Sequence, residues 1–383
     1  MPYRWEEILQ DWLMGAVVDY DPSEIVDAFN LVEKTMGSNW IDLAFGQSRG
    51  SMVAIPIIEL GLTLREVERI PNASRLITEI RENYPRTIYQ GNAERKSSSR
   101  MLVQLVPSDS LHELAHAIQV SRIAAHYKRH SFEVELEPEL VLKSKRRHPD
   151  LRVKSNGKWV YVEVVCPGFS KEAQNINKIL YRISKVKDEI PLDRVVEIYL
   201  YKDPSETEVN QIIETCKFMA QKDSQPQELN IEGIAQIFTN PWNQERLPTF
   251  RSAIEEKRPI LGIVGFEMKN DQGVIHGKKC NATMPFTDER AQRILNEKTK
   301  QLSRNDSGMV VIDVSSVPGG LKRWPELIAR RLQPNLNRRI SGVLITESSI
   351  TGASMKTEKK LVKHPNPIHS LPEDFLKVTC SAT

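Results

Sequence analysis

Hydrophobic positions recur with a helical period over much of the first 92 residues, and again from Pro107 to about Arg129. Asp21-Pro22-Ser23 is a favourable helix start. An Asp side chain there accepts hydrogen bonds from the unpaired backbone N–H groups of the first turn, and proline is favoured at the first helical position. The period then shortens to two residues, as expected for strands, at 132–138, 149–153 and 158–165. The pattern predicts helices followed by three short strands.

Ser155-Asn156-Gly157 separates the last two strand segments and is typical of a tight hairpin turn. A helical pattern at 170–190 and a strand pattern at 195–201 follow, and helices alternate with strands beyond them. We therefore expect an α/β protein with three regions, which are a helical N-terminal region (1–105), a core (106–205) and an α/β C-terminal extension (206–383).

Composition narrows the class of protein. The chain has 383 residues, of which 40% are hydrophobic and 27% are charged, which is ordinary for a globular protein. The four cysteines are widely spaced, which disfavours disulfides and a cysteine zinc site and favours a reducing compartment. The first residues lack the pattern of a signal peptide, and no apolar stretch approaches the roughly 18–20 residues that span a bilayer. We expect a cytoplasmic protein that does not associate with membranes.

Three carboxylates stand out as candidate metal ligands. Glu113 begins an apolar helical stripe, and a carboxylate there is costly to bury without a partner or a metal ion. Asp150 and Glu163 lie on the two strands of the predicted hairpin, whose pairing can bring them together. Three carboxylates form a hard oxygen site of the kind that binds Mg²⁺ or Mn²⁺. Such an ion activates water for attack on a phosphodiester.

The order of these elements resembles the PD-(D/E)XK superfamily of restriction-endonuclease-like nucleases. The resemblance covers about residues 106–201 and rests on the acidic helix, Pro149-Asp150, the hairpin, and the sequence Tyr161-Val162-Glu163-Val164-Val165. It implies a mixed sheet flanked by helices, with Glu113 as the helical acid and Asp150 and Glu163 as metal ligands. It also implies a metal-dependent nuclease that hydrolyses DNA.

One position departs from the family pattern. The family's lysine falls at Val165, which has no charge with which to orient water or stabilise a leaving group. Some members of the superfamily carry this cation elsewhere, and the candidates here are Arg152, Lys171 and Lys178. A nuclease fold that binds nucleic acid without cutting it is therefore an alternative.

The same helix carries a second motif. His112-Glu113-Leu114-Ala115-His116 matches HExxH, in which two histidines bind Zn²⁺ and the glutamate acts as a base. The longer pattern of one peptidase class would require Gly at position 119 and His at position 122, where this chain has Gln119 and Arg122. A zinc peptidase is a further alternative, with Zn²⁺ held by His112 and His116.

Basic residues suggest where nucleic acid would bind. Between Lys143 and Lys158 the chain has seven basic residues and one acid. We expect DNA, or alternatively RNA, to contact five of them, which we call the hairpin cluster: Lys143, Lys145, Arg146, Arg147 and Lys154. The segment 290–304 is also basic, through Arg293, Lys298, Lys300 and Arg304, and either contacts DNA or is a solvated helix face. A homodimer is a further possibility for the assembly.

Overall fold

A computed structural model describes most of the chain. The described residues are 4–5, 7, 21–40, 54–82, 109–142, 145–167, 170–189, 194–222, 227–241, 260–263, 267–269, 275–285, 290–315, 317, 319–351 and 354–381.

The described elements alternate between helices and strands after residue 130. The helices are α1 (Pro22–Met36), α2 (Ala54–Val67), α3 (Asp109–Arg129), α4 (Lys171–Ser184), α5 (Glu206–Lys222), α6 (Ala291–Thr299), α7 (Gly320–Arg331) and α8 (Glu373–Cys380). The strands are β1 (Glu133–Leu136), β2 (Leu140–Leu142), β3 (Lys145–Arg147), β4 (Leu151–Ser155), β5 (Lys158–Val165), β6 (Arg194–Leu200), β7 (Gln227–Ile231), β8 (Ala235–Pro241), β9 (Ile260–Ile263), β10 (Glu267–Lys269), β11 (Ile275–Pro285), β12 (Ser307–Asp313), β13 (Gly342–Thr351) and β14 (Ser354–Lys363).

The chain forms two compact units, and the second interrupts the first. The first unit consists of Met1–Ser99, Pro107–Gly168 and Glu289–Thr383. The second consists of Arg100–Val106 and Phe169–Asp288. The first unit is therefore assembled from segments far apart in sequence.

The first unit contains a mixed six-stranded sheet in the order β1-β4-β5-β12-β13-β14. β4 pairs in antiparallel orientation with β1 on one side and with β5 on the other, whereas β12 lies parallel to β5 and β13 lies parallel to β12. β14 closes the other edge in antiparallel orientation. β2 and β3 form a separate two-stranded ribbon.

Helices cover both faces of this sheet. Alternate residues of β5 face opposite ways, so Val160, Val162 and Val164 pack with α3 and α8. Tyr161 and the partly buried Val165 belong to the layer formed with α6 and α7. The first unit is therefore α/β, with a mixed sheet flanked by helices, as the sequence predicted at this coarser level.

The hairpin between β4 and β5 follows the predicted turn. Asn156 and Gly157 adopt φ values of 48° and 75°, the left-handed conformation that a two-residue hairpin turn with right-handed twist requires. Asn tolerates this conformation and Gly adopts it without steric cost. Because the turn fixes the register, Leu151 pairs with Val162 and Arg152 pairs with Tyr161.

The described N-terminal residues are helical. The Asp21 side chain accepts the backbone amide of Ser23, and Pro22 occupies the first turn of α1, as predicted. A β-carbon added at Gly61 of α2 would lie 2.4 Å from the carbonyl oxygen of Ala28 in α1, so α1 and α2 cross closely at this glycine. A further helical segment spans 73–82.

The second unit has its own sheet and its own hydrophobic core. Its strand order is β10-β11-β6-β8-β7, with β9 paired to β11. Buried residues of α4, α5 and these strands form the core, among them Leu180, Ile198, Ile212 and Ile237. The strand expected at 195–201 is β6, and it lies in this second sheet.

The strand beside β5 comes from a distant part of the chain. β12 occupies the position beside β5, and α6 precedes β12 as the covering helix. The segments at 170–190 and 195–201 instead form α4 and β6 of the second unit.

Within the described ranges, no helix combines the length and apolarity needed to cross a membrane.

Candidate functional site

Asp150 and Glu163 lie opposite each other at one end of the β4–β5 hairpin. The register pairs Leu151 with Val162, so position 150, just before β4, falls across from position 163. The Oδ2 atom of Asp150 accepts a hydrogen bond from the backbone N–H of Val164 at 2.6 Å. This bond fixes the Asp150 carboxylate beside the strand that carries Glu163.

Lys298 supplies a positive charge directly to Glu163. The Glu163 side chain is only 1% exposed, and its Oε2 atom accepts a hydrogen bond from Lys298 Nζ at 2.6 Å. Nζ also donates to the Oε1 atom of Gln301 at 3.2 Å. Lys298 lies in the last turn of α6, which packs on the face of the sheet towards which Glu163 points. The helix therefore brings a cation to the buried acid.

The two carboxyl groups have opposite proton affinities. Burial, and then the negative charge of Asp150, raise the pKa of Glu163 to about 7 despite Lys298. Burial also disfavours ionisation of Asp150, but His116, Lys298 and the Val164 amide together hold its pKa below the usual value. Adjacent carboxyl groups whose pKa values are driven apart are typical of acid–base and metal-binding sites.

His116 of α3 completes the described part of the site. Its Nε2 atom lies 3.3 Å from the Oδ1 atom of Asp150. Burial lowers the pKa of this histidine, but the hydrogen bond and the charge of Asp150 outweigh burial, and the net shift is upward. Both oxygens of Asp150 therefore have partners, one in α3 and one in β5.

Glu113 lies in α3 one helical turn before His116. Its side chain is outside the described residues, as is that of His112, so the predicted roles of both residues stay predictions. Among the described side chains, no three His, Cys, Asp or Glu groups converge as metal ligands. The described histidine of the HExxH motif contacts Asp150.

The residues present fit a divalent cation in one specific respect. The Oε1 atom of Glu163 is buried and makes no hydrogen bond within the described part of the chain. A buried carboxylate oxygen without a partner is costly, and a cation is one partner that would remove this cost. Asp150 and Glu163, with Glu113 as the third predicted ligand, would hold such an ion.

Arg152, one of the candidates for the catalytic cation, pairs with an acid on the neighbouring strand. Its guanidinium donates to the Oε2 atom of Glu135, with Nε at 2.8 Å, and lies 4.1 Å from the ring centre of Trp159. Lys171 is exposed at the start of α4 in the second unit, and Lys178 is exposed on the same helix. Lys298, in contrast, contacts the candidate acid Glu163 directly.

The hairpin cluster lies on β3 and β4. Lys145, Arg146 and Arg147 are exposed along β3, and Lys143 is outside the described residues. The Nε atom of Arg146 lies 3.4 Å from Glu139 Oε1, and the Nζ atom of Lys154 lies 3.0 Å from Glu133 Oε2. Part of this predicted nucleic-acid surface is therefore paired with carboxylates of the chain itself.

Sequence reasoning did not connect Lys298 and His116 with the acids. Lys298 was visible only as one of several bases in the segment 290–304, and its contact with Glu163 joins positions 135 residues apart. His116 had a clearer signal, because its spacing from Glu113 places the two positions one helical turn apart.

No protein-family model matches this chain, and no curated protein sequence is significantly similar to it. The site must therefore be interpreted from its own geometry.

Proposed function

We propose that the first unit is a metal-dependent nuclease that hydrolyses phosphodiester bonds in DNA. The observation that carries this proposal is the contact of the Lys298 Nζ atom with the buried Glu163 carboxylate, beside Asp150. Two acids and a cation at one end of a β-hairpin are the groups that the resemblance to restriction-endonuclease-like nucleases requires.

The order of elements supports the same proposal. The predicted core has an acidic helix, a strand, a hairpin, and then a helix and a further strand. The first unit has α3, then β1, β4 and β5, and then α6 and β12. The second unit is inserted between β5 and α6. We infer that α6 and β12 occupy the places that we had expected the segments 170–190 and 195–201 to fill.

Lys298 replaces the charge that Val165 lacks. Val165 is on β5 two residues after Glu163, and it packs in the apolar layer with α6 and α7. Lys298 reaches the same acid from outside the strand. In the proposed role, its ammonium group orients the attacking water or stabilises charge that develops on the phosphate.

A bound Mg²⁺ or Mn²⁺ ion would supply an activated water and neutralise phosphate charge. Asp150, held by His116 and the Val164 amide, would present a carboxylate already ionised at neutral pH. Glu163 has to lose its proton to act as a ligand, and Lys298 favours that loss.

The proposal is tested by incubating supercoiled plasmid and single-stranded DNA with the purified protein in Mg²⁺, in Mn²⁺ and in EDTA. We expect cleavage with either metal ion, none in EDTA, and a loss of at least about 100-fold for Asp150→Asn. The matched control is Glu297→Gln, which removes an exposed acid next to Lys298 and should cut like the wild type.

Two results would contradict the nuclease. Cleavage that survives Asp150→Asn would show that another site or a contaminant cuts the DNA. If no protein cuts DNA but the wild type binds it, the alternative of a non-cutting nucleic-acid-binding protein replaces the proposal. Stoichiometric Zn²⁺ that is lost in His116→Ala would instead favour the peptidase alternative.

A further inference from the structure

Carboxylates of the same segment neutralise part of the hairpin cluster. The segment 133–154 carries six basic residues and five acids. Within it, Arg146 pairs with Glu139, Arg152 with Glu135 and Lys154 with Glu133, all across neighbouring strand segments. Lys145 and Arg147 remain exposed, but a surface on which carboxylates neutralise part of the positive charge attracts phosphate less strongly.

A second group of cations lies at the end of α6, and we call it the loop cluster: Lys300, Arg304, Arg338 and Arg339. The segments 298–304 and 334–342 carry five basic residues, which are these four and Lys298, and no acid. Lys300, Arg304 and Arg338 are exposed and Arg339 is half-buried. Within the described residues, none of these four side chains forms an ion pair with a carboxylate.

Hydrogen bonds hold the two segments of the loop cluster together. The Thr299 hydroxyl donates to Asn337 Oδ1 at 3.0 Å, and Arg339 donates to the carbonyl oxygens of Thr299 and Leu302 at 3.4 Å each. Arg338 donates to the carbonyl oxygen of Asn366 at 3.1 Å. These contacts hold Arg338 and Arg339 in place, and the partners of both guanidinium groups are uncharged backbone carbonyls.

Two of the cations are close enough to repel each other. Burial, and then the positive charge of Arg304, lower the pKa of Arg339. Like charges held together in a folded chain are unfavourable, and an anion between them would turn this repulsion into attraction. Phosphate groups spaced along a nucleic-acid backbone are anions of this kind.

The loop cluster also adjoins the candidate acids. Lys298, which contacts Glu163, lies in the last turn of α6, and Lys300 follows two residues later. Positions two apart on a helix point to different sides. Accordingly Lys298 is mostly buried against the acid, whereas Lys300 is exposed.

We propose that the loop cluster, rather than the hairpin cluster, binds the phosphate backbone of DNA beside the acid site. This inference rests on the proposed function, because it assigns the substrate-binding surface of that same site. The end of α6 then has two roles. Lys298 contacts Glu163, and the basic residues that follow the helix bind the DNA backbone.

The test measures binding of a fluorescent 30-base-pair duplex to the full chain by anisotropy, in EDTA, so that cleavage plays no part. One variant combines Lys300→Gln, Arg304→Gln and Arg338→Gln. The matched control combines Lys145→Gln, Arg146→Gln and Arg147→Gln, which removes the same charge from the exposed strand β3. The melting temperatures of both variants establish that they fold.

We expect the loop variant to bind about tenfold or more weakly, and its plot of log affinity against log salt concentration to lose about 0.9 in slope per lost phosphate contact. The control should change both quantities much less. Equal or greater weakening in the control would overturn the proposal, and so would wild-type binding that is undetectable or independent of salt.

The outcomes separate this inference from the nuclease itself. If the wild type cuts DNA with Mg²⁺ but the loop variant binds DNA as tightly as the wild type, the loop cluster is not the DNA-binding surface. The proposed nuclease activity is then unaffected. If binding depends on the loop cluster but no metal ion supports cleavage, the surface stands and the catalytic proposal fails.

Discussion

Glu163 and Asp150 are neighbours with different proton affinities, and the difference arises from their partners. Asp150 has one oxygen near His116 and the other on the amide of Val164, so its charge is stabilised. Glu163 has Lys298 on one oxygen and is otherwise enclosed, so burial dominates. At the scale of residues, the site is thus a charged acid beside an acid that ionises near neutral pH.

Glu163 should make the stability of the metal-free protein fall as the pH rises from about 5 to 8. Its folded pKa of about 7 exceeds the ordinary value of 4.5, so between these values the folded chain keeps a proton that the unfolded chain has released. Glu163 alone should lower the free energy of unfolding by on the order of 2 kcal/mol across this window. Burial lowers the pKa of His126 to about 4, which raises stability over part of the same window, so the contribution of Glu163 is the difference between the wild type and Glu163→Gln. Urea denaturation in EDTA at several pH values measures this change.

Glu163→Gln should flatten this dependence, and Glu297→Gln should not. If the Glu163→Gln variant keeps the wild-type dependence on pH, then a different group holds the proton.

Lys298→Met should reduce the rate of DNA cleavage by about 100-fold, because it removes the ammonium group that contacts Glu163. Lys171→Met is the control, since this exposed residue of the second unit was a candidate from sequence alone. Single-turnover cleavage with Mn²⁺ measures both rates. A larger loss of cleavage rate in Lys171→Met than in Lys298→Met would contradict this prediction and favour Lys171 as the catalytic cation.

At the scale of elements, α6 is held against the sheet by close contacts around the start of β12. A β-carbon added at Gly308 would lie 2.4 Å from the carbonyl oxygen of Arg339 and 2.8 Å from Leu302 Cδ1. Gly308 also donates its backbone N–H to Ser341 Oγ at 3.2 Å. The loop that follows α6 and the loop before β13 therefore meet over a glycine.

Gly308→Ala should lower the free energy of unfolding by about 2 kcal/mol, because a backbone carbonyl cannot move aside as a flexible side chain can. Chemical denaturation measures the loss. An unchanged stability would mean that the two loops are not packed as tightly as the contacts indicate.

The elements near the hairpin could be predicted from sequence because their signals are local. Asn156-Gly157 determines the turn, and the turn determines the register that sets position 150 opposite position 163. The partner of β5 could not be predicted in the same way. A strand pattern at 195–201 and another at 308–314 look alike along the chain, and the choice between them depends on long-range packing.

The same dependence on long-range packing explains why Lys298 was not predicted to be the cation of the site. The contact between Lys298 and Glu163 forms only because α6 covers the sheet. The sequence of the segment 290–304 does not predict that the helix packs there. β14 was also absent from the prediction, because exposed Lys356, Glu358 and Lys360 give this edge strand a polar appearance.

At the scale of the whole molecule, each of the two units has its own buried hydrophobic residues. The core of the first unit includes Val311 and the core of the second includes Leu200, and both side chains are fully buried. Because the candidate acids and both basic clusters belong to the first unit, damage to the second core should leave the site itself folded.

Leu200→Ala should destabilise the second unit by about 3 kcal/mol and leave the first unit protected. Hydrogen exchange followed by mass spectrometry assigns the loss of protection to particular segments, with Val311→Ala as the reciprocal control. Equal loss of protection in both units would show that they unfold as one.

The central claim is that Asp150 and Glu163 form a centre for a divalent cation, and calorimetric titration of Mn²⁺ tests it without any assumption about the substrate. We predict that the wild type and Glu297→Gln bind Mn²⁺ alike, and that Glu163→Gln loses most of this binding. The affinity of the wild type should rise with pH by up to about tenfold per unit below pH 7 and then level off, because the metal displaces the Glu163 proton. Binding of Mn²⁺ by Glu163→Gln with the wild-type affinity and the wild-type dependence on pH would contradict the claim.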